Sequence, residues 1–303
     1  MPPLAPMGET LRILRPAPNV IAFYDGRVPG MRAYAETTNW VDDGAYSLGV
    51  ASYAIVDGTE ALVYDTHISV QHAKIIRATL LKAGVTNIRV VLSHWHLDHI
   101  AGNAVFADCE MIAHRWTFEA MTQHKAAIET GTRDGLPAIK PLILPMTLYD
   151  DELELKVGRL PVSLRHVDIH SRDGTMLVLP EQELLLAGDA LEDTVTYVSE
   201  PEGMETHLRD LARMSWWTVE TILPNHGSPE RIAAGGYDKG LMTATQHYTE
   251  RLLEARTSEI YRRQTLAQFV ADEIERGWIS YFAPYEAVHR ENLSKVLAGT
   301  NET

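Results

Sequence analysis

The sequence predicts an α/β sandwich made of two strand-rich halves flanked by helices, and three observations carry the prediction. A strand, helix, strand crossover is legible between Gly49 and Ser93, a second block of short apolar runs begins near Tyr149, and the chain after His226 turns to helix-period apolar spacing. Strands gathered into two blocks argue for two packed sheets rather than one doubly wound sheet.

In chain order, residues 1–35 carry Pro2, Pro3, Pro6, Pro16 and Pro18 with little periodicity, and they read as an irregular lead-in to a core spanning residues 36–235. GVASYAIVD and ALVYDT, separated by the Asp57-Gly58 turn, read as a β-hairpin whose buried strands end at Asp65. HAKIIRATLLKAG places Ile75, Ile76, Leu80 and Leu81 on one stripe and stops at Gly84, the pattern of a helix with a glycine end. NIRVVLS is the buried strand that follows. Residues 115–131 look helical, and the Pro/Gly-punctuated stretch to Pro145 fits a lid near a site or a plain surface loop. LELKV, PVSLRHV, TMLVLP and ELLLAG read as four more strands, and VETILP as the last. Residues 236–303 then read as a helical extension packed on the core, with GLMTATQHYTERLLEAR and LAQFVADEIERGW as helices. For YFAPYEAVHRENLSKVL, a cap on the sandwich, a pocket wall and a homodimer contact are all open.

Composition narrows the classes of partner. With 303 residues and 45% hydrophobic content the chain can bury a substantial core, and its formal net charge of −14 argues against a nucleic-acid partner, whose phosphates need a Lys/Arg-rich face. No apolar run of about 18 residues is present to span a membrane, and the N-terminal stretch lacks the apolar segment of a secretory signal, so the expectation is cytoplasmic. Cys109 is the single cysteine, which excludes an intrachain disulfide and a thiolate-rich metal site. Any metal must be held by nitrogen and oxygen.

The chemistry concentrates in Ser93-His-Trp-His-Leu-Asp-His99. An extended backbone sends the side chains of His94 and His96 to one side, where both imidazoles can meet one ion. Asp98 and His99 sit where the chain turns toward Gly102 and can address a neighbouring point, so one motif can serve two metals. His170 in VDIHSRDGT, Asp189 in ELLLAGDAL and His226 in TILPNHGSP each follow an apolar strand and open a loop, which gathers them at the same sheet edge. His166 is the rival to His170, but it falls inside the apolar strand run. His67, His72 and His114 read as satisfied or exposed histidines. Trp95, Phe118 and Met121 are candidates for an apolar pocket, whereas adjacent Trp216 and Trp217 suit core packing.

H-x-H-x-D-H, a later histidine, Gly-Asp after a strand, and Pro-x-His-Gly together resemble the metallo-β-lactamase superfamily over roughly Ser47 to Pro229. The sequence departs from that pattern where the family's Pro-Gly before the third histidine is Asp168-Ile169, and where SRDGT follows His170. The resemblance implies a four-layer αβ/βα sandwich. It also implies that His94, His96 and His170 hold a first zinc, that Asp98, His99 and His226 hold a second, and that Asp189 bridges them. Asp65 matches the family position that supports the ligands from behind. Tyr197, eight residues past Asp189, is a candidate substrate contact.

Two divalent ions sharing a water lower its pKa from about 15.7 toward neutrality, which makes a bridging hydroxide the expected nucleophile and gives Asp98 a direct role as its orienter and proton carrier. Nitrogen and oxygen ligands suit Zn2+, and the carboxylates also admit Mn2+ or Fe. The expected function is a dinuclear zinc hydrolase acting on a small carbonyl-centred molecule, a lactone or other ester. The alternatives are a β-lactamase or thioesterase, and behind them an iron redox enzyme or a nuclease.

Overall fold

The computed structural model describes residues 4–298. Its layering follows from the two-residue alternation of the strands in the first half. In β2 (Val20–Asp25), β3 (Val50–Asp57), β4 (Glu60–Tyr64) and β5 (Asn87–Val91), Ala22, Tyr24, Tyr53, Ile55, Leu62, Tyr64 and Val91 join the core shared with the second sheet. Their neighbours Ile21, Phe23, Ala54, Val63 and Val90 face the other way, into a core with Ile76 and Leu80 of helix α1 (Val70–Lys82) and Met121 of α3 (Arg115–Thr130). A sheet buried on both faces needs a second sheet on one side and helices on the other.

The first sheet has seven strands in sequence order, from β1 (Arg12–Ala17) to β6 (Glu110–His114) and β7 (Thr147–Tyr149). The second runs β12 (Thr221–Pro224), β11 (Leu184–Gly188), β10 (Ser171–Leu179), β9 (Leu160–Ile169) and β8 (Glu152–Val157). Against its outer side pack α4 (Met204–Met214) and α6 (Gly240–Glu254), through Leu211, Met214, Leu241 and Tyr248. Helix, sheet, sheet and helix are therefore the four layers. Short helices α2 (Leu97–Ile100) and α5 (Pro229–Ala233) follow strand ends, and α7 (Glu259–Arg263), α8 (Leu266–Phe269), α9 (Ala271–Glu275) and α10 (Tyr285–Ala298) complete the chain. Among the described residues no helix is long and apolar enough to cross a membrane.

Three buried tyrosines tie the first sheet to the second half. Tyr24 donates to the Gly227 carbonyl at 2.8 Å, Tyr53 to that of Pro224 at 2.5 Å, and Tyr64 to that of Thr175 at 2.5 Å. Burial pushes each phenol well above its ordinary pKa, so all three stay protonated and donate.

The structure corrects the reading of residues 1–35 as irregular: Arg12 to Asp25 form the β1–β2 hairpin, turning at Asn19 with φ +65°. Pro16 is accommodated because β1 is the edge of its sheet, where a missing N–H leaves no ladder bond unmade. The predicted helix LAQFVADEIERGW is broken at Val270 (φ −120°) into α8 and α9.

Candidate metal centre

The candidate residues meet because every strand that precedes one ends at the same edge. Strands β4 and β5 run parallel, as do β11 and β12, and their carboxyl ends release Asp65, the Ser93–His99 segment, Asp189 and His226. Strand β9 points the same way as β11, being antiparallel to the intervening β10, and its end delivers His170. His170 occupies the turn between β9 and β10 with φ +68°, a conformation costly for a side-chain-bearing residue and typical of positions the surroundings hold in place.

Each of the five histidines has one ring nitrogen engaged outward. The Nδ1 atom of His170 donates to the Tyr197 carbonyl at 2.9 Å, and that of His226 to the Gly49 carbonyl at 2.6 Å. His99 Nδ1 lies 3.0 Å from Asp65 Oδ2, His94 Nδ1 lies 2.9 Å from Ser93 Oγ, and His96 Nε2 lies 3.3 Å from Ser199 Oγ. Asp65 also accepts from Ser93 Oγ and Ser93 N, both at 2.6 Å, and from Asn225 Nδ2 at 2.5 Å. The expected support from Asp65 thus takes the form of a buried hub that reaches His99 directly and His94 through Ser93. Ser93 and Asn225 were not singled out in the sequence.

The other nitrogens converge. From Asp189 Oδ2, the Nε2 atoms of His99, His226, His94 and His170 lie at 3.1, 3.3, 3.5 and 3.8 Å. Asp98 Oδ2 is 3.2 Å from His226 Nε2 and 3.4 Å from His99 Nε2, and His96 Nδ1 is 2.9 Å from His170 Nε2. Two four-residue groups result, His94, His96, His170 and Asp189, and Asp98, His99, Asp189 and His226; in each, one atom from every residue lies within 4.8 Å of the others. All seven sequence candidates fall in them. His94 Nε2 and Asp189 Oδ1 are buried and have no hydrogen-bond partner.

The groups differ in charge. Burial lowers the pKa values of His94, of His96 to about 3, and of His170 to about 4, leaving neutral rings with free lone pairs. Burial acts the same way on His99 and His226, but the carboxylates of Asp189 and Asp98 outweigh it and raise both well above the ordinary value. In return, despite burial, these imidazoles hold Asp98 and Asp189 well below the usual carboxylate range.

A cavity of about 560 Å³ opens onto both groups. Trp95 lines it, stacked on His124 with ring centroids 4.9 Å apart and covered by the Arg133 guanidinium at 4.9 Å. Its backbone N–H is held at 3.0 Å by the buried carboxyl of Asp173, which burial pushes up to about 6. Arg133 and Asp134 bring the segment after α3 to the cavity, and Pro284, Ala287, Val288, Glu291 and Lys295 bring the C-terminal segment. Tyr197 also lines it, its hydroxyl donating to Glu291 at 2.6 Å and receiving a bond from Lys295. Glu192 is a lining residue without a sequence signal; its carboxyl, raised to about 8 by burial, accepts from Tyr285 at 2.9 Å and from the Tyr197 N–H at 2.8 Å.

Histidines outside the centre have other partners. His72 bonds Asp25 at 2.8 Å and stacks on His67, while His114 stacks on His166, which bonds the Arg172 carbonyl at 2.7 Å. Trp216 corrects the expectation of core packing, being 89% exposed, while Trp217 packs partly buried under Arg165. Met121 lies fully buried in the outer core, away from the cavity.

With this arrangement in view, comparison with known proteins is informative. The family model of the metallo-beta-lactamase superfamily matches residues 46–226, and the chain belongs to that superfamily and is a hydrolase of its class. Among curated relatives, the atrochrysone carboxyl ACP thioesterase dmxR1 of Cryptosporiopsis sp. (strain 8999) is 24% identical over 283 residues, covering 79% of this chain and 82% of that protein. The lactamase-like protein notP of Aspergillus sp. (strain MF297-2) is 27% identical over 180 residues, 59% of this chain and 49% of notP. Two solved structures share the fold. The DIM-1 metallo-beta-lactamase has 20% identity and a TM-score of 0.58, covering 79% of this chain and 96% of its own. A metallo-beta-lactamase from Pontibacter korlensis has 14% identity and a TM-score of 0.59, covering 79% and 99%.

Proposed function

We propose that this protein is a two-metal hydrolase of a small, carbonyl-centred substrate: a lactone, another ester or a thioester. The observation that carries the reading is the place of Asp189, whose Oδ2 lies within 3.8 Å of four imidazole Nε2 atoms drawn from both groups. The donors fit divalent cations. Leaving a buried polar atom unpaired costs about 1–3 kcal/mol, and His94 Nε2 and Asp189 Oδ1 are such atoms, aimed where a cation would satisfy them. His94, His96 and His170 with Asp189 would hold one ion, and Asp98, His99 and His226 with Asp189 the other. Nitrogen and oxygen donors suit zinc and admit manganese or iron. When bound, such a pair supplies an acidified water and a Lewis-acid contact to the scissile carbonyl.

The chain's own residues do the rest. Asp65, Ser93, Ser199 and the Gly49 and Tyr197 carbonyls fix ring orientation and turn the other nitrogen of each ring inward. Asp98, 18% exposed on the cavity wall, takes the proton released as the nucleophile adds to the carbonyl carbon and returns it to the departing oxygen, nitrogen or sulfur. The cavity volume suits a metabolite-sized molecule. The name of the thioesterase relative supports an acyl thioester within this class, and the net charge of −14 supports a substrate other than nucleic acid.

The test is proton release by zinc-loaded protein against lactones, simple esters, thioesters, β-lactams and phosphodiesters, with chelator-treated protein as control. A metal-dependent rate on one carbonyl class is expected. Silence on every carbonyl class by protein with two bound ions would overturn the reading.

A further inference from the structure

The ring of His170 takes its orientation from a piece of chain with no regular structure of its own. Its Nδ1–H donates to the Tyr197 carbonyl at 2.9 Å, and residues 190–199 form neither helix nor strand. What fixes that carbonyl is the C-terminal segment. The Asn292 side chain of α10, fully buried, accepts from the Val198 N–H at 2.8 Å and donates to the Thr196 carbonyl at 3.0 Å, so one amide pairs with both neighbours of Tyr197 as an adjacent strand would. Upstream, Tyr285 donates to Glu192 at 2.9 Å, and the Ser280 N–H to Asp193 Oδ1 at 2.6 Å. These holding residues lie outside the stretch that matches the family, which ends at residue 226.

We infer that Asn292 is a positioning residue for His170, and that through it α10 is part of the metal centre. The inference rests on the metal reading above for its consequence, while the geometry it describes exists without metal. Asn292 uses its acceptor and one N–H on the two peptide groups flanking Tyr197, while Nδ2 also donates to the Tyr248 hydroxyl at 3.1 Å, which leaves the Tyr197 carbonyl directed at His170. The Nδ1 proton stays on the outward nitrogen and Nε2 keeps its lone pair inward. An alanine at 292 leaves a buried N–H and a buried carbonyl unpaired, and the segment must shift to satisfy them.

Two measurements test this on the full-length protein. In metal-free, 15N-histidine-labelled protein, long-range imidazole correlation spectra of the wild type should show His170 as the Nδ1–H tautomer. Asn292→Ala should lose that fixed tautomer while the ring signals of His226, anchored on Gly49, stay unchanged. Zn2+ titration should then show affinity at the His94, His96 and His170 group reduced about tenfold, the low end of the 10- to 100-fold effect of residues that orient ligands, with the other group within about twofold. Asn292→Asp keeps the acceptor for Val198 and loses the donor to Thr196 and Tyr248; it should fall between the two and carries the test should the alanine variant not fold. An unchanged His170 spectrum, or unchanged first-group affinity in a folded variant, would overturn the inference. A wild-type protein that binds no Zn2+ but shows the spectral change in Asn292→Ala would instead overturn the metal reading and leave the positioning role standing.

Discussion

The two donor groups share Asp189 but are held by different parts of the chain. His99 and His226 are supported from within the family-matched core, by Asp65, Asn225 and the backbone of Gly49, and Asp98 lies between them. His94 shares that support through Ser93, whereas His96 and His170 lean on Ser199 and Tyr197, in a segment held by α10. The donor chemistry differs too, three imidazoles and one carboxylate against two and two. One half of the centre is thus set by sheet edges, and the other by a long-range contact. Mutations should separate them.

The largest effect should come from the residue the halves share. Asp189→Ala should lose metal from both groups, and because Lewis-acid stabilisation is worth several kcal/mol, turnover should fall on the order of a thousandfold; metal analysis and initial rates check this. A variant that keeps full activity would remove Asp189 from the bridging position.

Asp98→Asn should distinguish the groups. Turnover should drop on the order of a hundredfold, the scale of a lost proton-transfer residue, with Zn2+ affinity at the first group within about twofold of wild type. Equal losses at both groups would erase the distinction.

Acidity provides a third, smaller contrast. His99 and His226 have raised pKa values, so at neutral pH in metal-free protein they carry protons that an incoming ion must displace. Affinity at their group therefore rises with pH. His96 and His170, lowered to about 3 and about 4, are already neutral between pH 6 and pH 8, and affinity at their group should vary little over that range. Calorimetric Zn2+ titrations in buffers of different ionisation enthalpy count the released protons. Identical counts for the two groups would refute the contrast.

The smallest effect should follow Tyr53→Phe, which deletes the hydroxyl bond to Pro224, two residues before His226. A loss of about 1 kcal/mol in denaturant unfolding, with first-group affinity unchanged, is expected. A shift at the first group would mean that the sandwich spacing controls both halves.

The part of the centre that was legible in the sequence is the part written by strand periodicity. A buried apolar run announces where a strand ends, and His94, Asp189 and His226 stand at such ends, so they could be placed together without coordinates. Asp65 was legible as a strand end for the same reason, and its supporting role came from the family resemblance. Asn225, Glu192 and Asn292 left no such trace, because their roles consist of side-chain contacts that reach across 160, 93 and 94 residues. Arg12 to Asp25 was hidden by the prolines, which usually signal loops and are tolerated in β1 because it lies at a sheet edge. Strand β7, of three residues, offers too few alternations to register. Trp216 was misplaced because an aromatic pair suggests burial whichever way a helix end turns it.

The carboxylate at position 189 also has a thermodynamic consequence. With one side chain common to both groups, cations bound there would not be independent ligands. Whatever the first does to the affinity of the second, by fixing the orientation of that carboxylate or by its charge, the second does to the first by the same factor. Loading would then be a linked equilibrium whose cooperativity is set by one aspartate, and the fraction of molecules carrying both ions would depend on free metal concentration more steeply or more shallowly than two separate sites would allow.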